Sequence, residues 1–488
     1  MSLMILGSSS HAGKSTIVAA ICRLLHNYGY SCAPFKSQNM SLNSYVTNDG
    51  SEIGIAQAIQ AMAAGVEPVA EMNPILLKPK GDRTSQIVLL GRPYKDIKIG
   101  EYYNETEYLL EKALASYYSL EEQFGNIVVE GAGGAAEMNL YDRDIANILL
   151  AEKINIPIVI VGDIERGGIF AQLIGTYDLL PENIRKNVVG FIINKFRGDP
   201  ELFKKGVSII EEKTGIKVLG VLPYSPIELP SEDSLSIQDK IKNESKDKPV
   251  RIGIVRLDRI SNFSDFEPLE RYAEIRYIDP SGSFEDIDCL ILPGTKNTIE
   301  DLKILKESGF DKKLKSLIDR KIPVFGICGG FQMLGKEIAD SGIESGNPCI
   351  TEGFGVIDIK TKFLDYEKTT TKVRRRSLKT GPILSAVDEA SGYEIHMGIT
   401  EPGDGVKEAF DGEGVVSPDG LIIGTYMHGL FNNRNVVIAL MNYLYEQKGL
   451  IFDISGTPES EMESAFQKLL ISFEENIDVA AILDHFNK

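Results

Sequence analysis

No apolar run in the 488-residue sequence approaches the roughly 20 residues needed to span a bilayer. The opening, "MSLMILGSSS", lacks the basic segment and the length of a secretory leader, so neither a membrane span nor a leader is expected. Cysteine is scarce. Cys22, Cys32, Cys289, Cys328 and Cys349 are odd in number and show no metal-type spacing, which excludes a disulfide framework and fits a reducing cytoplasm. Basic residues are outnumbered, and a formal net charge of −18 repels both nucleic acid and anionic membranes at long range. An anionic small molecule is still admissible, because a local basic cleft overrides the mean field. What remains is the composition of a globular protein, 43% hydrophobic and 25% charged. Its length suits roughly two to four domains, each with a sizeable core.

The first part of the chain alternates strand-like and helix-like segments. "LMIL", "NIVVEG", "IPIVIVG", "VVGFIIN" and "KVLGVLP" are apolar throughout and are separated by amphipathic stretches of helical length. Continuous apolar strands between helices predict a mostly parallel, doubly wound sheet with helices on both faces. Residues 229–249, "LPSEDSLSIQDKIKNESKDKP", are polar and charged and read as a linker between a first domain, 1–228, and a second, 250–488. The second domain restarts the alternation with "VRIGIVRL", "IDCLILPG", "KIPVFGIC" and "GLIIGTYMHG". It ends in a tail from about residue 451 that reads as a pair of helices. The prediction is two α/β domains in series. Cys22, in an apolar helical run, and Cys289, in "DCLILPG", are expected in the cores.

"LMILGSSSHAGKST" has strand, glycine-rich loop and helix start in the order of a phosphate site. Successive backbone N–H groups and the helix dipole hold anions, Lys14 reaches the outer phosphates, and the Ser15 hydroxyl suits Mg²⁺. Gly7 stands one residue too early for the usual spacing, so Ser8 takes the place of the first glycine. The nucleotide contacts expected are Gly13, Lys14, Ser15, Thr16 and Asn194, the last residue of "VVGFIIN". Glu130, at the carboxyl end of "NIVVEGAGG", sits where a second metal ligand belongs. Asp49 in "TNDGSEIG" is a candidate third ligand. In "APFKSQNMSLNSY", Lys36 ends a strand beside a loop of Ser, Gln and Asn, which can bind carboxylates or amides without adding negative charge.

A second constellation centres on "FGICGGFQMLG". A buried strand turns through small residues into a segment of helical apolar spacing, "FQMLGKEIA", which exposes Cys328 and aims a helix N-terminus at its sulfur. A nucleophilic thiol also needs a base and an oxyanion hole. His428 follows the strand "GLIIGTYM", and His396 in "YEIHMG" competes with it. Backbone N–H groups at Gly329 and at Gly294, in "PGTKN", are the oxyanion candidates.

Taken together, "GSSSHAGKST", "PFKSQNMSLNS", "EIGIAQAIQA", "MNPILLKP", "VVEGAGGAAEMNL", "GDIERGGIFA", "LPGTKNT", "GICGGFQMLG", "YEIHMG" and "YMHGLF" occur in family order over nearly the full length. They resemble the dethiobiotin synthetase type of P-loop enzyme and, more closely, the cobyric acid synthase family. The resemblance implies an N-terminal ATP-dependent amidoligase domain and a C-terminal class I glutamine amidotransferase-like domain. The implied substrates are ATP with Mg²⁺, L-glutamine and adenosylcobyrinic acid a,c-diamide, amidated at its b, d, e and g carboxylates through acyl phosphates. Family position favours His428 over His396 as the base and makes His396 and Glu394 structural or site-shaping. Because the γ-phosphate and the substrate carboxylate are both anionic, Lys36, at the end of a strand parallel to that of the phosphate loop, is expected to supply fixed positive charge between them, and the neighbouring Asn39, Ser41 and Asn43 to hydrogen-bond the corrin side chains. Two departures stand out. His11 precedes the "AGK" where a small or acidic residue is usual, and reads as an inert surface residue. Gly429 and Leu430 follow His428 without the glutamate that many class I amidotransferases place two residues on, so the group orienting the histidine is not evident. Three other readings remain: a P-loop partitioning ATPase, which would carry an extra early lysine and would not need Cys328; the same kind of enzyme on another substrate, such as cobyrinic acid a,c-diamide synthesis or cell-wall lipid amidation, against which only the resemblance of "FKSQNMSLNS" speaks; and a degenerate amidotransferase domain that only scaffolds. The order of the amidations, the ammonia route and the oligomeric state are not legible.

Overall fold

A computed structural model describes residues 1–81, 83–224, 248–364, 366, 368–453 and 459–487. The five apolar runs of the first part form strands of one sheet, joined by a sixth at its edge. In spatial order these are Val218–Pro223, Val188–Phe196, Ile158–Asp163, Ser2–Gly7, Ile127–Glu130 and Ala33–Phe35, all parallel. Each central strand is apolar along its length because helices cover both faces of the sheet. One face packs on Lys14–Asn27, burying Ile17, Ile21 and Leu25, and the other on Thr106–Phe124, burying Leu109, Ala113 and Tyr117. The register aligns Ile5 with Glu130 and Gly7 with Val161, so the loops carrying Lys14, Glu130 and Asp163 leave the same edge of the sheet.

The second unit is a seven-stranded sheet ordered Glu274–Ile278, Arg251–Val255, Cys289–Leu292, Val324–Ile327, Ile422–Thr425, Glu413–Val416 and Lys407–Phe410. The first five strands are parallel and the last two antiparallel. The expectation of two α/β units in series is met. A small antiparallel sheet of Thr369–Arg376, Glu389–His396 and Met427–His428 lies over the second unit. Cys22 and Cys289 are fully buried in the two cores. Among the described residues no helix is long and apolar enough to cross a membrane.

Two expectations require correction. The helix after Cys328 spans only Gly329–Leu334, and "KEIA" enters the strand Glu337–Ser341. Gly335 breaks the helix with extended backbone (φ −70°, ψ 176°) and packs so closely on the strand Ile359–Phe363 that a methyl there would lie 2.9 Å from the Ile359 carbonyl oxygen. The C-terminal helices, Glu459–Asn476 and Val479–Leu483, were expected to close the second unit but pack on the first. Phe466, Leu469, Leu470, Phe473, Ile477 and Ile482 join Leu3, Ile5, Ile21 and Leu25 in one core. Asp478 N–H donates to the Leu219 carbonyl, and Asn487 exchanges hydrogen bonds with Asn126. The linker expected at 229–249 lies, apart from residues 248 and 249, outside the described residues.

Candidate active sites

The phosphate loop is set by backbone geometry. His11 takes φ 60° and Gly13 φ 98°, a turn that delivers the chain into the helix starting at Lys14. Gly13 admits no side chain, since a methyl would sit 2.0 Å from the Asn194 amide nitrogen. Asn194 in turn donates to the Ala12 carbonyl at 3.0 Å and Lys195 donates to the His11 carbonyl at 2.8 Å, so the end of the strand Val188–Phe196, next but one in the sheet, holds the loop. Lys14 Nζ donates to the Gly133 carbonyl at 2.7 Å and lines a cleft of about 880 Å³, within the usual range for small-molecule sites. His11, expected at an inert surface, also lines this cleft.

Glu130 is wholly buried at the cleft floor. Its Oε1 accepts from Ser15 Oγ at 2.8 Å and from Lys36 Nζ at 2.9 Å, and its Oε2 accepts from Gln60 Nε2 at 2.5 Å. A buried carboxylate requires such partners, and the buried Lys36 ammonium is its counter-charge. One hydroxyl and one carboxylate facing a phosphate loop fit Mg²⁺, which takes one or two protein oxygens and completes its shell with phosphate and water.

The cleft therefore gathers Gly13, Lys14, Ser15, Thr16, Lys36, Asn39 and Glu130 from the expected set. Four others fall elsewhere. Asn194 holds the loop without lining the cleft. Asp49 is exposed in the turn between Ser44–Val46 and Glu52–Gly54, where its carboxylate accepts from Thr47 and Ser51 of that same turn, so it is no partner of Ser15 and Glu130. Ser41 and Asn43 are buried against each other, with Asn43 N–H donating to Ser41 Oγ at 3.0 Å, and neither lines the cleft. Gln60 and Lys195, both lining it, were not expected. Gln60 stands in the "AIQA" of an apolar helix, where its helical face alone could have drawn notice.

The thiol lies at the carboxyl edge of the second sheet. Cys328 follows Val324–Ile327 with φ 51° and ψ −110°, a conformation that costs a non-glycine residue energy and that recurs at functional turns. The small residues around it are needed for packing, because a methyl on Gly330 would lie 2.0 Å from the Leu292 carbonyl oxygen. Cys328 Sγ lies 3.5 Å from the Ile395 carbonyl oxygen, and His428 stands near enough for the thiol to bear on its protonation. Gly294 and Gly329 flank this contact. A methyl on Gly294 would come within 3.1 Å of His428 Cε1, and one on Gly329 within 2.9 Å of the Thr295 methyl.

The orienting group absent from the local motif is Asp265, 163 residues earlier. Its Oδ2 accepts from His428 Nδ1 at 2.7 Å and its Oδ1 from Gly429 N–H at 2.9 Å. Tyr393 stacks on the imidazole at 5.4 Å and reaches Asp265 Oδ1 at 3.4 Å. Burial alone lowers the affinity of the imidazole for its proton, but the Asp265 charge, its hydrogen bond and the Cys328 contact outweigh this and raise the His428 pKa to about 10. His396 is turned to other partners: it stacks on Tyr426 at 3.7 Å, with Glu394 Oε2 3.6 Å from its Nε2.

Comparisons with known proteins agree with this division. Residues 3–237 match the CobQ/CobB/MinD/ParA nucleotide binding domain, and residues 251–436 match the CobB/CobQ-like glutamine amidotransferase domain. The chain is 58% identical over 488 residues to a "Probable cobyric acid synthase" of Methanoculleus marisnigri, covering 100% of this chain and 99% of that one. It is 56% identical over 483 residues to a protein of the same description from Methanoregula boonei, covering 99% of each. A third, from Methanosarcina barkeri, is 54% identical over 98% of this chain and 97% of its own. With both units matched and the identity sustained from end to end, the chain belongs to the cobyric acid synthase family of glutamine amidotransferase-linked amidoligases.

Proposed function

We propose that the chain amidates the b, d, e and g carboxylates of adenosylcobyrinic acid a,c-diamide, using ATP and glutamine and yielding adenosylcobyric acid. The observation that carries this reading is the pairing, in one chain, of a phosphate-loop cleft with an oriented cysteine–histidine pair. A carboxylate is a poor electrophile and ammonium is no nucleophile, so each unit overcomes one of the two obstacles.

In the first unit a substrate carboxylate oxygen attacks the γ-phosphorus of ATP, ADP leaves, and an acyl phosphate forms. Lys14 and the loop N–H groups hold the outer phosphates, and Lys36 supplies fixed positive charge between the two anions as they approach. Ser15 and Glu130 would hold Mg²⁺, which when bound neutralises phosphate charge. In the second unit Cys328 Sγ attacks the glutamine carboxamide carbon, with Gly294 and Gly329 supplying N–H groups to the oxyanion. His428 returns a proton to the leaving nitrogen, releasing ammonia, and water then cleaves the thioester to glutamate. Ammonia attacks the acyl phosphate carbonyl and expels phosphate, leaving the amide. The test is incubation of the purified chain with the corrin diamide, ATP and glutamine bearing a heavy amide nitrogen. Four label incorporations per corrin, each dependent on ATP, are expected; an unlabelled corrin would refute the reading.

A further inference from the structure

The groups around His428 do not stand on the second unit alone. Asp265 lies in the helical turn Phe263–Arg271, which is entered through Asn262 in a left-handed conformation, φ 50° and ψ 42°. Asp265 N–H donates to the Asn262 carbonyl at 3.0 Å, and the adjacent Ser261 N–H donates to the Gly294 carbonyl at 2.9 Å. Asn262 thus sits between the carboxylate that orients the histidine and the turn beside the thiol. Its own side chain and backbone N–H point at the first unit. Asn262 Oδ1 accepts from Ser44 N–H at 2.9 Å, and Asn262 N–H donates to the Leu42 carbonyl at 3.2 Å, with Asn262 only 2% exposed.

A second tether reaches the other flank. Lys368 immediately precedes the strand Thr369–Arg376, which pairs Lys372 with Tyr393 and Thr369 with His396 across Glu389–His396. That partner strand supplies the Tyr393 ring against His428 and the Ile395 carbonyl against Cys328. Lys368 is buried in an ion pair with Glu52 of the first unit, and Glu52 also holds Lys78 at 2.5 Å and Ser44 Oγ at 2.8 Å. Four residues further, Lys372 donates to Tyr45 Oη at 2.9 Å and Asn48 Oδ1 at 2.6 Å. All of these first-unit partners except Lys78 lie between Leu42 and Glu52, the segment that continues from Lys36 and Asn39 at the synthetase cleft.

We infer that Asn262 and Lys368 are positioning residues through which the first unit's segment 42–52 holds the Asp265–His428–Cys328 arrangement in its working geometry. Glutamine hydrolysis in the second unit then depends on how that segment is seated, and the segment is contiguous with the loop expected to meet the substrate carboxylate. The inference rests on the reading of Cys328 and His428 as the glutamine-hydrolysing pair.

Asn262→Gly keeps the left-handed backbone and the N–H to Leu42 but removes the acceptor for Ser44. Lys368→Met removes the charge facing Glu52 while keeping most of the side-chain volume. In the full-length chain, both are expected to lower the glutamine-driven turnover number roughly 5- to 150-fold. KM for glutamine and amidation driven by ammonium salt should be unchanged, and Lys368→Arg should recover most of the loss. Unchanged glutamine turnover in both variants, or an equal loss with ammonia, would overturn the inference. Cys328→Ser serves as the control: if it still hydrolyses glutamine, the underlying reading of the thiol fails instead.

Discussion

His428 owes its proton to Asp265, and one substitution separates that role from packing. Asp265→Asn preserves size and hydrogen-bonding shape but removes the charge that holds the imidazole's proton. Glutamine hydrolysis should fall on the order of 10²–10⁴-fold, whereas ammonia-driven amidation should not change; a variant with full glutaminase activity would contradict the geometry. The same pair makes a pH-dependent contribution to stability. With its pKa raised from the ordinary value of about 6.5 to about 10, His428 stabilises the fold fully below about pH 6.5. That contribution is lost as pH rises through the folded value. The gap in unfolding midpoint between the native chain and His428→Gln is therefore expected to narrow from pH 6.5 toward pH 10. A gap that widens with pH would contradict the ion pair. At the other site, Lys36→Met should leave calorimetric ATP binding nearly intact while reducing acyl phosphate formation about 10²–10³-fold. Normal single-turnover formation would reduce Lys36 to a structural partner of Glu130. Residues whose role follows from their own neighbours, such as Lys14, Ser15 and Cys328, were legible in short motifs. Asp265 was not, because its partner is 163 residues away and nothing near it marks it.

Among elements, the tail is the most exacting case. Its helices are visible from apolar spacing, but the surface they cover is not, since any amphipathic helix fits a sheet with an open face. What decides the docking is Gly220. A methyl there would lie 2.0 Å from the Asn476 carbonyl oxygen, and only a bare backbone lets Ile477 bridge to that strand. Gly220→Ala is expected to cost about 1–3 kcal/mol by overpacking and Phe473→Ala about 3–5 kcal/mol by loss of core volume, both read from urea unfolding. Wild-type midpoints in both would mean the tail does not belong to the first core. The parallel strands were easy to read for the opposite reason: burial on both faces makes them apolar at every position, as in "IVIV" of Ile158–Asp163. "FQMLGKEIA" misled because its spacing suits a helix, while Gly335 imposes a stop that depends on the proximity of Ile359.

Across the whole molecule, the two units match a nucleotide binding domain and a glutamine amidotransferase domain, and the proposed reading gives each a different bond of one reaction. On the proposed reading the glutamine site makes ammonia and the phosphate-loop cleft makes the electrophile, so each is expected to be silenced without silencing the other's chemistry. The substitutions Cys328→Ser and Lys14→Ala draw the line between them. Amidation of the corrin diamide, measured by mass spectrometry with glutamine or with concentrated ammonium at alkaline pH as nitrogen source, tests the division directly. Cys328→Ser is expected to lose glutamine-driven amidation and keep the ammonia-driven reaction, and Lys14→Ala to lose both. Ammonia-driven amidation surviving in Lys14→Ala, or glutamine-driven amidation surviving in Cys328→Ser, would contradict the account.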